Sequence, residues 1–185
     1  IQKPKNLSLA TAIPGRAILE RIDNYDLDNI RASHLKTSVF KTIEYFRKRV
    51  TLHPFYDYQL HWIYLEGSLR AAIASRIAVH NSSRVLRIVD LIGDPDVLTH
   101  CGSAFQKLMD EQNIEYMDFW QYGICSSVLM RAGFHKVDPG GELICPNYFE
   151  PFVAKNGRIL CCIKGSIEKS FIVCRADGDQ DRPNQ

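Results

Sequence analysis

Several side chains in this 185-residue sequence stand at spacings that chemistry can use. In the closing stretch "ADGDQDRPNQ", Asp177, Asp179 and Asp181 recur at every second position, as the first carboxylates of calcium loops do. Such a loop also needs a glycine sixth and a bidentate glutamate twelfth. Here Arg182 takes the glycine's place and the chain reaches Gln185 too soon, so no metal site is expected. The three aspartates are expected to pair with local amides or with Arg182. Cys125 opens a short helical stretch, where a thiol can lose its proton and act as a nucleophile; a small buried residue at a packing position is the ordinary alternative. His61 and His80 alternate with apolar residues on strand-like stretches and can serve as bases, although a lone strand histidine is more often structural. Tyr122, at a strand end, can donate a proton, or simply pack its ring and show its hydroxyl to water. Glu66, Glu115 and Asp118 are further carboxylates of a kind that turns and half-exposed strands carry routinely. The aromatic runs "DFWQY" and "HPFYDYQLHW" would suit a sugar platform or an interface, with core packing the default and Trp62 and Trp120 the residues to check.

The elements that must position these groups belong to one ordinary domain. A chain of this length buries a core without disulfide or metal staples. Hydrophobic residues at 45% and charged residues at 24% are globular proportions. No stretch approaches the roughly 18 consecutive apolar residues of a membrane span. A net charge of +2 argues against a nucleic-acid partner. Six cysteines without a C-x-x-C pair, and six scattered histidines, show neither zinc nor redox spacing. A reduced, cytoplasmic protein is expected. Because the chain begins with Ile1 rather than Met, an N-terminal region or partner domain is expected to precede it.

Residues 1–15, with two prolines and a glycine, read as an extended lead-in, 16–176 as one domain and 177–185 as a polar tail. "RAILERIDNY" reads as a strand and "DLDNIRASHLKTS" as a helix capped by Asp26. A second helix follows from about Ser38 to Pro54, with Val39, Phe40, Ile43, Phe46 and Val50 at helical spacing. From Tyr56 the period becomes two, and turns at Glu66-Gly67-Ser68 and Asn81-Ser82-Ser83 divide the stretch into a three-stranded antiparallel meander. Asp94 then caps a helix with Pro95 at its first position and Val97, Leu98, Cys101, Phe105, Leu108 and Met109 on one stripe. "IEYMDFWQYG" is a strand and "ICSSVLMRAGF" a short helix closing near Gly133. "GELICPNYFEPF", "GRILCCIKG" and "KSFIVCRAD" read as final β segments.

This order, with a βαβ crossover after a meander, is an α/β pattern. Over Tyr58 to Val137, from the meander to the helix ending in Ala132-Gly133-Phe134, it resembles the GNAT superfamily of acyl-CoA N-acyltransferases. "YFRKRVTLHPFYDY", "CPNYFEPF" and "DGDQDRPN" also resemble a GNAT-like group associated with bacterial surface-polysaccharide genes. The resemblance implies a mixed, mainly antiparallel twisted sheet flanked by about four helices. It also implies an acyl thioester donor, acetyl-CoA or another acyl-CoA, used as a cosubstrate without a tightly bound cofactor. The acceptor would be a small amine such as an amino sugar.

By the same resemblance Leu91, Ile92, Gly93 and Val97 would contact the donor and Tyr122 would substitute for the acid, while Cys125 and His80 are catalytic candidates by their own placement. Two positions depart from the family pattern. The turn expected to present amides to the donor's pyrophosphate reads "IGDPDV", where Asp94 and Asp96 place carboxylates and Pro95 removes a donor. Leu129 stands where the family commonly has the tyrosine that protonates the leaving thiolate. A non-catalytic binding or oligomerisation module, a homo-oligomer or half of a tandem protein, is the alternative.

Overall fold

The computed structural model describes residues 15–22, 35, 41–147, 149, 152–157, 162, 164 and 171–178. The helix expected from Asp26, the start of the second helix, most of "GRILCCIKG", and Asp179 and Asp181 lie outside them. β1 (Ala17–Ile22), β2 (Gln59–Leu65), β3 (Ser68–His80) and β4 (Ser83–Gly93) follow one another antiparallel in a single sheet. The hairpin turns fall where the sequence places them: Glu66, Gly67 and Asn81 all take positive φ, the left-handed geometry of tight turns. β5 (Tyr116–Phe119) then joins β4 in parallel. The fold is therefore a mixed, mainly antiparallel sheet with helices, as expected. A short antiparallel pair, β6 (Gln121–Tyr122) with β7 (Val173–Cys174), extends beyond it.

The helix expected after β4 is split. Pro95–His100 is a 3₁₀ segment, and α2 (Gly102–Glu111) starts beyond Cys101. Asp94 caps the segment by accepting the Asp96 amide at 3.0 Å. The apolar stripe survives the split, with Val97, Leu98, Cys101, Phe105 and Leu108 buried. α3 (Ser126–Arg131) ends at Gly133, whose φ of 92° lets Phe134 N–H return to the Leu129 carbonyl at 3.0 Å.

The two sheet faces are covered differently. On one, Ile63, Ile73, Ile88 and Leu91 pack against Val97, Leu98, Phe105 and Val128 from the 3₁₀ segment, α2 and α3. On the other, α1 (Ile43–Val50) lays Phe46 and Val50 over Leu60, Trp62, Ala72, Val89 and Ile92. Phe46 is wholly buried, and burial of such a ring stabilises the fold by about 1.5–3 kcal/mol.

The remainder of the α1 face is covered by chain from the C-terminal third. Arg87 of β4 donates to Asp118 Oδ2 of β5 from Nε at 3.0 Å and from a terminal nitrogen at 2.8 Å. The same guanidinium donates to the carbonyl of Asn147 at 2.8 Å and to that of Pro146, and lies over the Phe149 ring. Arg175 adds a second guanidinium, 2.7 Å from Asn147 Oδ1 and 3.6 Å from Asp118 Oδ2. Glu142–Asn147, expected as strand, is irregular instead, and among the described residues of that stretch an isolated Phe149–Phe152 bridge follows. Arginine and asparagine side chains meet its backbone groups: Arg87 takes two carbonyls, and Asn156 accepts the Cys145 amide at 2.8 Å. Replacing Asp118 with Ala leaves two buried guanidinium groups without their carboxylate, and denaturant unfolding should show a loss of about 3–5 kcal/mol. A loss below 1 kcal/mol on that scale would mean the network contributes little.

Candidate functional site

The parallel pairing of β4 with β5 covers only Val85–Ile88 against Tyr116–Phe119. β4 continues to Gly93, so the two strands part after Ile88. At that point β4 carries one extra residue, Val89, because Ser75 of β3 faces Ile88 while Ala74 faces Asp90. Asp90 is thereby buried completely, just past the parting. Its Oδ1 accepts the Leu91 amide at 2.8 Å and also bonds the Lys41 ammonium. Lys41 lies 2.7 Å from Asp177 Oδ2 as well. Asp177 in turn accepts the Cys174 amide at 2.6 Å and the Tyr45 hydroxyl at 3.4 Å.

Burial pushes the Asp90 carboxyl up to about 6, against the pull of Lys41 and helped by the charge on Asp177. Burial also opposes the Lys41 ammonium, yet its anionic neighbours outweigh it and raise the pKa above the ordinary value. Burial keeps the Cys174 thiol neutral by raising its pKa. Asp90, Cys174 and Asp177 present ligand atoms within 4.8 Å of one another, a set that can hold a cation. The cation paired with both carboxylates here is Lys41's own ammonium. Asp177 thus pairs with Lys41 and a local amide.

A cleft of about 360 Å³ lies by the end of β4, where Arg70, Asp94, Val97, His100, Ser127 and Arg131 contribute to its walls. Arg70 is ion-paired with Asp94 across it. Val97 is therefore a lining residue. Leu91 and Ile92 have core side chains, and only their backbone is open to a role. Gly93 takes φ of 102°, and a Cβ there would meet the Arg70 carbonyl oxygen at 2.5 Å, so packing between strands accounts for the glycine.

Tyr122 is exposed on β6. Cys125 is exposed as well, contrary to the packing expectation, since Ile124, Val128 and Ala132 form the buried stripe of that turn. A hydrogen bond with Ser127, 3.1 Å away, lowers its thiol pKa. His80 ends β3 and stacks on Phe152 with ring centres 3.8 Å apart. It lies roughly 30 Å along the ladder from Gly93, too far to share a substrate with it. Trp62 is core, and Trp120 receives the Arg175 guanidinium. Neither forms an open platform. Glu66 and Glu115 are exposed, while Asp118 is consumed by Arg87.

The sequence reading missed Asp90, Lys41 and the Arg87–Asp118 pair. A signal was present: "VLRIVDLIG" sets Arg87 and Asp90 inside a run too apolar for a solvated strand, and charges buried in such runs need partners.

No protein-family model matches this sequence, and no curated protein does. Among solved structures, the chain is similar to a ribosomal-protein-alanine N-acetyltransferase from Brucella melitensis biovar Abortus 2308, at 8% identity and a TM-score of 0.47, with 70% of this chain and 98% of that one covered. It is also similar to a GNAT family acetyltransferase from Staphylococcus aureus, at 13% identity and a TM-score of 0.44, covering 69% and 98%. An aminoglycoside acetyltransferase from an uncultured soil metagenomic sample, in complex with sisomicin, is 17% identical at a TM-score of 0.37, covering 56% and 76%. At identities this low and superpositions this partial, these likenesses assign no residue a role.

His61 of β2 is buried, and its Nδ1 has no hydrogen-bond partner among the described residues. Burial, reinforced by the charge of Arg21, lowers its pKa from 6.5 to about 4. The unfolded chain therefore binds more protons between these values, so stability is full above pH 6.5 and falls as pH drops toward 4. The His61 share is up to about 3 kcal/mol. Melting temperatures followed against pH should fall less steeply over this range for His61→Leu than for the natural chain. Equal slopes would remove His61 as the cause.

Proposed function

We propose that this chain is an acyltransferase-type domain with a GNAT-like chain path, carrying an acyl group from acetyl-CoA or another acyl-CoA to a primary amine on a small molecule such as an amino sugar. The observation that supports this best is the parting of β4 from β5 beside a buried carboxylate. An extended, amide-bearing thioester arm can add to the freed edge of β4 as a peptide strand would, against the backbone of Leu91, Ile92 and Gly93. The cleft beyond offers His100, Arg131 and the Asp94-paired Arg70 to the phosphates of such a donor, beside the carboxylates of Asp94 and Asp96, with Val97 against its apolar part.

In the transfer, the amine nitrogen attacks the thioester carbonyl, the C–N bond forms, the C–S bond breaks and the amine loses a proton. Asp90, pushed up to about 6, has the proton affinity of a useful base near neutral pH. Tyr122 is the candidate donor of a proton to the leaving thiolate, with Cys125 a candidate nucleophile in a two-step route. His80 has no part in this scheme.

A second reading, a non-catalytic binding or oligomerisation module, is favoured by a specific observation. Donor groups the thioester would use are already paired: Leu91 N–H with Asp90, and Asp96 N–H and Arg70 with Asp94.

Thermal unfolding with acetyl-CoA separates the two. Bound ligand at a hundredfold excess over its Kd adds about 2.7 kcal/mol of stability, which the first reading expects as a clear rise in Tm. An unchanged Tm at millimolar acetyl-CoA would rule out the acyltransferase reading and leave the binding module standing.

A further inference from the structure

We infer that Lys41 and Asp177 are positioning residues for the Asp90 carboxylate, so that the turn Arg175–Asp177, far along the chain, completes the site at the parting of β4 and β5. This rests on the proposed role of Asp90 as proton acceptor.

The geometry is specific. Asp90 Oδ1 is fixed by two donors, the Leu91 amide and the Lys41 ammonium. Oδ2 has no partner among the described residues although the residue is wholly buried. One oxygen is thus held by two donors and the other is left without one. Lys41 is restrained in turn, because Asp177 holds the same ammonium at 2.7 Å. Asp177 is itself anchored by the Cys174 amide and the Tyr45 hydroxyl, and Arg49 fastens the turn by donating to the Ala176 carbonyl at 3.2 Å.

The titratable and charged groups around Asp90 are Lys41, Tyr45 and Arg49 in and before α1, and Cys174 and Asp177 in the C-terminal segment. Burial raises Tyr45 to about 12 and also raises Cys174, so both are neutral near pH 7. Lys41 and Asp177 remain as charged neighbours that act on Asp90 in opposite senses: the cation lowers its proton affinity and the anion raises it.

The test follows the Asp90 carboxyl carbon by NMR through a pH titration of the full chain, with assignment by its loss in Asp90→Asn. Lys41→Met should raise the midpoint by about one unit or more, and Asp177→Asn should lower it by about one unit. Lys41→Arg, which keeps the cation, should stay near the natural value. A purely structural role for the two residues would leave the midpoint in place in every folded variant. If Lys41→Met does not fold, Asp177→Asn decides alone, and a midpoint that fails to fall overturns the inference. This readout needs no substrate. A chain that ignores acetyl-CoA but shows the opposed shifts loses the acyltransferase reading and keeps the coupling, while a chain that responds to acetyl-CoA with fixed midpoints does the reverse.

Discussion

A guanidinium buried in a sheet is tolerable only when its donors are met, and Arg87 meets this demand by collecting groups from two distant parts of the chain. Asp118 supplies the counter-charge from β5, and the carbonyls of Pro146 and Asn147 supply the remaining acceptors. The consequence is more than neutralisation. β5 is tied to β4 by side chains as well as by a short parallel ladder, and an irregular segment is drawn over the α1 face without needing strand partners of its own. Asp118 then serves Arg175 too, which brings the last described turn to the same face.

That arrangement makes the two faces unlike. Beneath the 3₁₀ segment, α2 and α3, the core is aliphatic and aromatic, and the interactions are largely nondirectional. Across the sheet, under α1 and the C-terminal segment, Arg87, Arg175 and Lys41 are buried against Asp90, Asp118 and the partly exposed Asp177. Ion pairs of this kind contribute less to stability than an apolar core of the same volume, but they tolerate few alternative arrangements. A face built this way holds individual oxygens in place through paired charges and hydrogen bonds.

Around the parting of β4 and β5, local satisfaction and ligand binding compete for the same groups. Asp94 holds the amide of Asp96 and the guanidinium of Arg70; Asp90 holds the amide of Leu91. Any ligand entering there must offer acceptors good enough to replace two carboxylates.

The strand meander, its two turns, the Asp94 cap and the closing Gly133-Phe134 were legible in the sequence, because each depends on residues close together along the chain. Period-two alternation builds a hairpin, an aspartate before a proline caps a helical turn, and a glycine permits left-handed closure. The split at Cys101 and the exposure of Cys125 were not legible, since they turn on which side of a short helical turn meets the sheet. The charged cluster was half visible: Arg87 and Asp90 stand out within an apolar strand, but their partners Asp118 and Lys41 lie 31 and 49 residues away. Sequence by itself determined that these charges would need partners, because burial of a lone ion is prohibitive. Only the tertiary structure decided which partners, because pairing at that separation is set by how strands and segments stack in space.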